Sequence, residues 1–163
     1  MATPPKSIKR KNPQKSYSPP AQAEKIISLR QYHTKEILPL GNPSPEMINL
    51  FFRCRVTGKR TSMDQKLIKV LRETSLHFAV KEIIIISAFR APRYNEELRK
   101  KLHEVALRSK HLFGQAVDFA LKGVDAARVA RYLRKKKMGG VGYYNRSKFV
   151  HFDTGPVRTW NGL

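Results

Sequence analysis

Two short stretches of this sequence combine strand-like alternation with ionisable side chains: Ser109-Lys110-His111-Leu112-Phe113-Gly114-Gln115-Ala116-Val117-Asp118 and Phe149-Val150-His151-Phe152-Asp153. Alternate residues of a strand share a face, so His151 and Asp153 are expected to point away from the apolar layer. By the same rule Asp118 is an acid on a strand otherwise suited to burial. A buried carboxylate is unfavourable unless a charged partner or a metal ion compensates it.

His111, Asp118 and His151 have the chemistry of a zinc site. Zinc favours imidazole nitrogen and carboxylate oxygen in tetrahedral geometry, and catalytic sites use three protein ligands with a water in the fourth position. Gly114 suits a tight approach from His111 to the strand. The residues alone leave a second interpretation open, in which Asp118 pairs with an arginine and the histidines are ordinary hydrogen-bonded side chains.

Composition predicts one folded domain with a strongly basic surface. The 163 residues include 40% hydrophobic residues, and 33 Lys and Arg against 12 Asp and Glu give a formal net charge of +21. Such a field attracts polyanions, so nucleic acid, anionic lipid and the anionic bacterial cell wall are all candidate partners. The single cysteine, Cys54, excludes an intrachain disulfide and is expected to be a small buried side chain.

The chain divides into two segments of different composition. Residues 1–23 carry five basic residues, five prolines and no acid, which predicts a disordered basic arm, and residues 24–163 form the folded domain. The N-terminus shows no secretory apolar segment, and no apolar run approaches the roughly 18 residues needed to span a bilayer.

The periodicity of apolar residues predicts an α+β fold, because strands and helices do not alternate strictly. Helices are expected over about 45–53, 63–78, 94–107 and 125–136. Strands are expected between residues 26 and 40 and over about 82–87, 115–121, 140–145 and 148–153, the last two pairing antiparallel.

Further ordered segments accompany the two stretches quoted first: Tyr32-His33-Thr34, Ser87-Ala88-Phe89-Arg90, Asn95-Glu96-Glu97-Leu98, Gly139-Gly140-Val141-Gly142-Tyr143-Tyr144, Thr154-Gly155-Pro156, Arg158 and Trp160. From about residue 24 to its end the chain thereby resembles the LAS superfamily of zinc peptidases (lysostaphin, D-Ala-D-Ala peptidases, the hedgehog domain). Within it, the chain is similar to the YcbK-type, or MepK-type, murein endopeptidases. The resemblance implies an antiparallel sheet that carries one zinc ion and is covered by helices.

The resemblance also implies roles for individual residues. It gives His111, Asp118 and His151 as the zinc ligands. It gives Arg90 as the group that holds a substrate carboxylate or the oxyanion, a task that suits a guanidinium. Candidate orienting or substrate-binding groups, for which a turn, cap or core position is the alternative, are Ser87, Asn95, Ser109 and Tyr144.

One position departs from the pattern of the superfamily. Many relatives place Glu or Asp three residues before the last zinc histidine, as general base, whereas this chain has Lys148 there. The nearest carboxylate in sequence is Asp153. Asp153 either activates the attacking water or orients a zinc ligand by a hydrogen bond without contacting the metal. The sequence leaves both alternatives open.

The expected partners follow from the resemblance. They are the peptide stems of peptidoglycan, including 3-3 links between meso-diaminopimelate residues, with the basic arm contacting an anionic wall or membrane. A monomer in the periplasm or cell envelope is expected, and the lack of a visible secretory segment leaves the cytoplasm open.

Two rival functions remain at this point. The first is a non-catalytic, zinc-containing wall-binding protein, as the hedgehog domain shows for this fold. The second is a basic nucleic-acid-binding protein, against which stand the absence of a recognisable motif and of aromatic residues interleaved with Lys and Arg on a strand.

Overall fold

A seven-stranded sheet organises residues 27–102 and 105–162, which are the residues that the computed structural model describes. The strands are β1 (Ser28–Gln31), β2 (Ile37–Pro39), β3 (Glu82–Ser87), β4 (Ala116–Leu121), β5 (Gly140–Tyr144), β6 (Phe149–Asp153) and β7 (Arg158–Gly162). Their order across the sheet is β2-β1-β3-β4-β6-β5-β7. The predicted arm, residues 1–23, lies outside the described residues.

The α+β prediction is confirmed, with a sheet that is antiparallel at its centre and mixed at its edges. β3, β4, β6 and β5 pair antiparallel in that order, as do β1 and β2. β1 pairs parallel with β3, and β5 pairs parallel with β7. The implied antiparallel sheet therefore describes the central strands, while the two edges add parallel pairs.

Four α-helices lie in the described ranges: α1 (Pro45–Phe51), α2 (Gln65–His77), α3 (Pro92–Lys101) and α4 (Ala126–Lys136). Three begin at a side-chain cap, because Ser44, Asp64 and Asp125 each accept a hydrogen bond from a backbone N–H of the first turn. The helix predicted over about 125–136 is thus confirmed. A short 3-10 helix spans Lys110–Phe113.

Two sequence-based expectations fail in detail. The helix predicted over 94–107 is wrong at its end, since α3 stops at Lys101 and Leu102 has extended backbone. The Asn95 amide donates to the carbonyl of Ala106 at 3.3 Å, which holds the following segment against α3 instead of continuing it. Strand β7 was not predicted, because its residues Arg158–Gly162 lack apolar alternation.

The hydrophobic core lies on one face of the sheet. Ile83 and Ile85 of β3 are fully buried, whereas Ile84 and Ile86 are only half-buried, so the isoleucine run alternates between the two faces. The core face is covered by α2 and α4, which pack against the central strands. Buried side chains on that side include Leu67, Leu71, Phe119, Val129, Leu133, Val150 and Phe152. No helix in the described ranges is long and apolar enough to cross a membrane.

Candidate metal centre

The face of the sheet opposite α4 carries the three residues predicted as zinc ligands. Asp118 on β4 lies directly opposite His151 on β6 in the antiparallel register, so their side chains leave the same face. His111 comes from the 3-10 helix that precedes β4. All three are buried, and one potential ligand atom from each lies within 4.8 Å of the other two.

Gly114 joins the 3-10 helix to β4 and brings His111 to the sheet. Its φ of 65° lies in the left-handed region, which favours glycine. An added Cβ would lie 2.5 Å from the carbonyl oxygen of Ser62 and 2.9 Å from Cγ2 of Thr61. The predicted tight approach at Gly114 is therefore required by both conformation and space.

Two of the three distances between the donor atoms match the spacing around a tetrahedral zinc ion, and the third is shorter. His111 Nε2 lies 3.2 Å from Asp118 Oδ1 and 3.2 Å from His151 Nδ1, and His151 Nδ1 lies 2.8 Å from Asp118 Oδ1. Tetrahedral zinc with bonds of about 2.0–2.1 Å separates its ligand atoms by about 3.3 Å. The donor set and its geometry fit one zinc ion.

Each histidine has its second ring nitrogen bound to an oxygen acceptor. His111 Nδ1 lies 2.5 Å from the carbonyl oxygen of Ala88, which requires the proton on Nδ1 and leaves the lone pair on Nε2. His151 Nε2 donates to Asp153 Oδ2 at 2.9 Å, so Nδ1, which lies 2.8 Å from Asp118 Oδ1, is the nitrogen that can bind a metal ion once its proton is displaced. Both histidines thus hold the ring nitrogen that faces away from the cluster as a donor, as metal-binding histidines commonly do.

Arg90 holds the carboxylate of Asp118. Its Nη2 donates to Asp118 Oδ2 at 2.5 Å and its Nε donates to Ser87 Oγ at 2.9 Å. Because Oδ2 is engaged by the guanidinium, Oδ1 is the oxygen that faces the two histidines. Arg90 also lines the cleft described below, but its donors are directed at Asp118 and Ser87.

Asp153 is fully buried and both of its oxygens are occupied. Arg158 donates to Oδ1 at 3.0 Å and to Oδ2 at 2.7 Å, and the backbone N–H of Gly155 donates to Oδ1 at 2.9 Å. With His151 also bound to Oδ2, this carboxylate is buried and is not among the described residues that line the cleft. The geometry conflicts with Asp153 as general base and favours the alternative, in which it orients His151.

Burial and charge set the protonation of the cluster. Burial, with the Arg90 guanidinium, lowers the pKa of His111 to about 4. Burial alone would raise the pKa values of Asp118 and Asp153, but hydrogen bonds and charges from neighbouring His and Arg side chains hold both well below the usual range. Burial opposes the charged form of His151, yet the two carboxylates that it contacts outweigh this and raise its pKa.

The cluster lies in a cleft of about 680 Å³. One side is formed by residues 101–102, 105–106 and 108–110, and the other by Tyr144, Arg146, Ser147, Phe149, Arg158 and Trp160. Tyr144 stacks on Phe149 with ring centroids 4.5 Å apart and accepts a hydrogen bond from Trp160 Nε1 at 3.3 Å. Tyr144 and Trp160 thus both line the cleft.

The other predicted site residues divide between the cleft and the interior. Ser109 lines the cleft and caps the 3-10 helix, accepting from the backbone N–H of His111 at 3.4 Å. Asn95 is buried beneath the segment that follows α3 and does not line the cleft, so its predicted contact with substrate is not supported. Sequence reasoning missed the cleft residues Lys101, Arg108 and Arg146, because isolated basic residues in a basic chain carry no pattern.

Comparison with known proteins agrees with this site. The family model described as "Peptidoglycan L,D-endopeptidase MepK" matches residues 20–160. The peptidoglycan L,D-endopeptidase MepK of Escherichia coli strain K12 is 37% identical over 145 residues, covering 83% of this chain and 80% of the relative. The chain belongs to the MepK family. No solved structure matches it at a significant level.

A second MepK relative extends the likeness to another organism. The probable peptidoglycan L,D-endopeptidase MepK of Haemophilus influenzae is 36% identical over 125 residues, covering 74% of this chain and 67% of the relative. The match to the MepK family includes the 3-10 helix, β4 and β6, from which the His-Asp-His cluster is built. The resemblance to MepK-type endopeptidases inferred from sequence motifs is thereby confirmed.

Proposed function

We propose that this protein is a zinc-dependent endopeptidase that hydrolyses peptide cross-links of bacterial peptidoglycan. The observation that carries the proposal is the buried cluster of His111, Asp118 and His151, with near-tetrahedral spacing, at the base of a cleft in a chain of the MepK family. The relatives are named for cleavage of an L,D-peptide bond. We accordingly propose 3-3 links between diaminopimelate residues as the substrate bonds.

Zinc would be held by His111 Nε2, Asp118 Oδ1 and His151 Nδ1. When bound, it supplies a Lewis acid for the scissile carbonyl and lowers the pKa of the attacking water. The protein's own contribution is to hold the three donors in place before the ion arrives: Ala88, Arg90 and Asp153 each fix one ligand. Such partners outside the ligand set increase both metal affinity and the precision of ligand orientation.

The cleft positions the substrate beside this centre. Tyr144, Phe149 and Trp160 form an aromatic wall against which the apolar parts of a peptide stem can pack. The basic side chains of the same cleft attract a substrate that carries free carboxylates. We place Arg90 and Asp153 among the positioning residues, since each acts through a ligand.

The proposal also covers the location and the partners of the protein. A peptidoglycan substrate implies action in the periplasm or cell envelope. The basic segment 1–23 would contact an anionic wall or membrane, and residues 24–163 would form the peptidase domain. We expect no specific nucleic-acid partner, since the basic residues of the cleft surround the His-Asp-His cluster.

Digestion of defined muropeptides tests the function. Purified protein is incubated with 3-3 and 4-3 cross-linked dimers, with chelator and then with added zinc, and monomers are counted by chromatography. We expect the 3-3 dimer to be cleaved, chelator to abolish cleavage, and zinc to restore it. His111→Ala should remove activity and zinc binding, whereas His77→Ala, an exposed histidine outside the cleft, should retain both.

Two outcomes would contradict the proposal. Full zinc occupancy without cleavage of either dimer would indicate a zinc-containing wall-binding protein. Tight, steeply salt-dependent binding of DNA or RNA without bound metal would indicate the nucleic-acid alternative.

A further inference from the structure

The cleft is lined mainly by positively charged side chains. Among the described residues that line it, six side chains are basic and only Asp118 is acidic. Asp118 is itself neutralised by Arg90 at 2.5 Å. A ligand that enters the cleft therefore meets an excess of positive charge beside the candidate metal centre.

Three of the six basic residues are already used by the protein. Arg90 pairs with Asp118, Arg158 pairs with Asp153, and Lys110 Nζ donates to Gln115 Oε1 at 3.2 Å. The other three are Lys101, Arg108 and Arg146, all exposed. None of these three forms an ion pair with an acidic side chain of residues 27–102 or 105–162.

These three cations approach the centre from two sides. Lys101 ends α3, and Arg108 precedes the Ser109 cap of the 3-10 helix, on the side of β3 and β4. Arg146 lies in the turn between β5 and β6, on the side of β5 and β7. Because β4 and β6 are central in the strand order, a peptide lying across His151 extends toward cations in both directions.

We infer that Lys101, Arg108 and Arg146 bind free carboxylates of the substrate on both sides of the scissile bond, so that the protein selects cross-links whose carboxyl groups are not amidated. This inference rests on the proposed function for the class of substrate. A guanidinium binds a carboxylate through two charge-assisted hydrogen bonds, whereas a carboxamide carries no charge and offers one acceptor. Amidation thus removes the attraction while leaving the size of the peptide nearly unchanged.

Equilibrium binding to the metal-depleted protein tests the inference without turnover. The full chain is treated with chelator and titrated with a 3-3 cross-linked muropeptide dimer, bearing either free or amidated diaminopimelate carboxyl groups. Binding is measured by calorimetry at a fixed ionic strength. We expect the free dimer to bind about tenfold more tightly, in the range for hydrogen bonds to charged groups. Equal dissociation constants would overturn the inference.

Two double variants distinguish the effect of direct contact with the cleft cations from the effect of the protein's net charge. Arg108→Gln with Arg146→Gln removes two cations from the cleft, and Arg131→Gln with Lys135→Gln removes two exposed cations from α4 on the opposite face. The cleft variant should weaken binding of the free dimer about tenfold and of the amidated dimer less than twofold. The α4 variant should change both by less than twofold. Equal losses in the two variants would mean that only the net positive charge of the protein attracts the dimer. That result would also overturn the inference.

The activity assay distinguishes this failure from failure of the proposed function. If the zinc-loaded protein cleaves free and amidated dimers with equal kcat/KM, the endopeptidase proposal stands and the carboxylate inference falls. If neither dimer is cleaved but the free dimer still binds more tightly, the inference on recognition stands and the proposal of catalysis falls.

Discussion

At the scale of single residues, the candidate centre is a set of ligands that are each fixed by a second polar group. The carbonyl of Ala88 sets the tautomer of His111, Arg90 occupies one oxygen of Asp118, and Asp153 holds His151. This explains why a carboxylate so close to the centre is fully buried. We propose that Asp153 acts on a bound metal through His151, to which it is hydrogen-bonded, while Arg158 holds the Asp153 carboxylate in place.

Removal of the Arg158–Asp153 pair should weaken metal binding. Asp153→Asn and Arg158→Gln are each expected to lower zinc affinity roughly 10–100-fold, because the orientation and basicity of His151 depend on this pair. Competition titration with a chromophoric chelator measures the change. Arg131→Gln is the matched control for the loss of one positive charge and should leave the affinity unchanged.

The same variants discriminate between the two roles considered for Asp153. A loss of activity in Asp153→Asn with unchanged zinc affinity would favour the general base. A parallel loss in Arg158→Gln, which removes no carboxylate, is expected if Asp153 is a positioning residue.

Zinc affinity should decrease in acid because of His151. Burial lowers the pKa of His151, but the hydrogen bonds that its ring donates to Asp118 and Asp153 outweigh this and raise the pKa above its usual 6.5 in the metal-free protein. A metal ion displaces the proton from Nδ1, so below the raised pKa each pH unit should weaken zinc binding roughly tenfold. Competition titrations between about pH 6 and pH 8 measure the slope. In Asp153→Asn the dependence should move to lower pH, and a flat profile in the parent protein would contradict the assignment.

At the scale of secondary-structure elements, the centre depends on one strand register and one turn. The β4–β6 register sets Asp118 opposite His151, and a shift of one strand by one residue would turn its ligand toward the apolar core. The turn at Gly114 then brings His111 to the same point. Neither element supplies all three ligands by itself.

Gly114→Ala should destabilise the fold more than a substitution at another left-handed glycine. The Cβ would contact Ser62 and Thr61 at less than 3 Å, so strain of about 1–2 kcal/mol from the positive φ is joined by about 1–3 kcal/mol from overpacking. At Gly58, with φ 69° and no atom within 4 Å of the added Cβ, only the first effect applies. Urea unfolding of the two variants measures the difference, and equal destabilisation would show that the segment around Ser62 yields to the new methyl group.

At the scale of the whole molecule, the hydrophobic core and the candidate metal centre lie on opposite faces of the sheet. One face packs against α2 and α4 and holds the core, while the opposite face carries the His-Asp-His cluster and the basic cleft. Adjacent residues of one strand serve both purposes, since Val150 and Phe152 enter the core on either side of His151.

Leu133→Ala should therefore lower stability without changing the centre. Leu133 is 1% exposed on α4, and truncation of such a side chain destabilises by about 2–5 kcal/mol. Zinc affinity measured well below the unfolding temperature should remain within about twofold of the parent, because the ligands lie on the other face. A loss of affinity as large as that in Arg158→Gln would contradict the separation of the two faces.

Some features of the molecule were visible in residue patterns. The alternation in Phe149–Asp153 predicted both the strand and the face of His151, and the isoleucine run predicted β3. The pattern failed where contacts distant in sequence decide the structure. The end of α3 depends on a hydrogen bond from Asn95 to Ala106, and β7 forms because β5 offers it a parallel edge.

The sequence by itself determined the α+β fold, the central strands and the three candidate ligands, because apolar periodicity and donor chemistry act locally and leave a residue pattern. Only the tertiary structure decided what surrounds those ligands. It paired Asp153 with His151 and Arg158, paired Arg90 with Asp118, buried Asn95 outside the described lining of the cleft and placed Lys101, Arg108 and Arg146 along its sides. Such assignments depend on which atoms meet across the sheet, and no local pattern records distances between residues far apart in the chain.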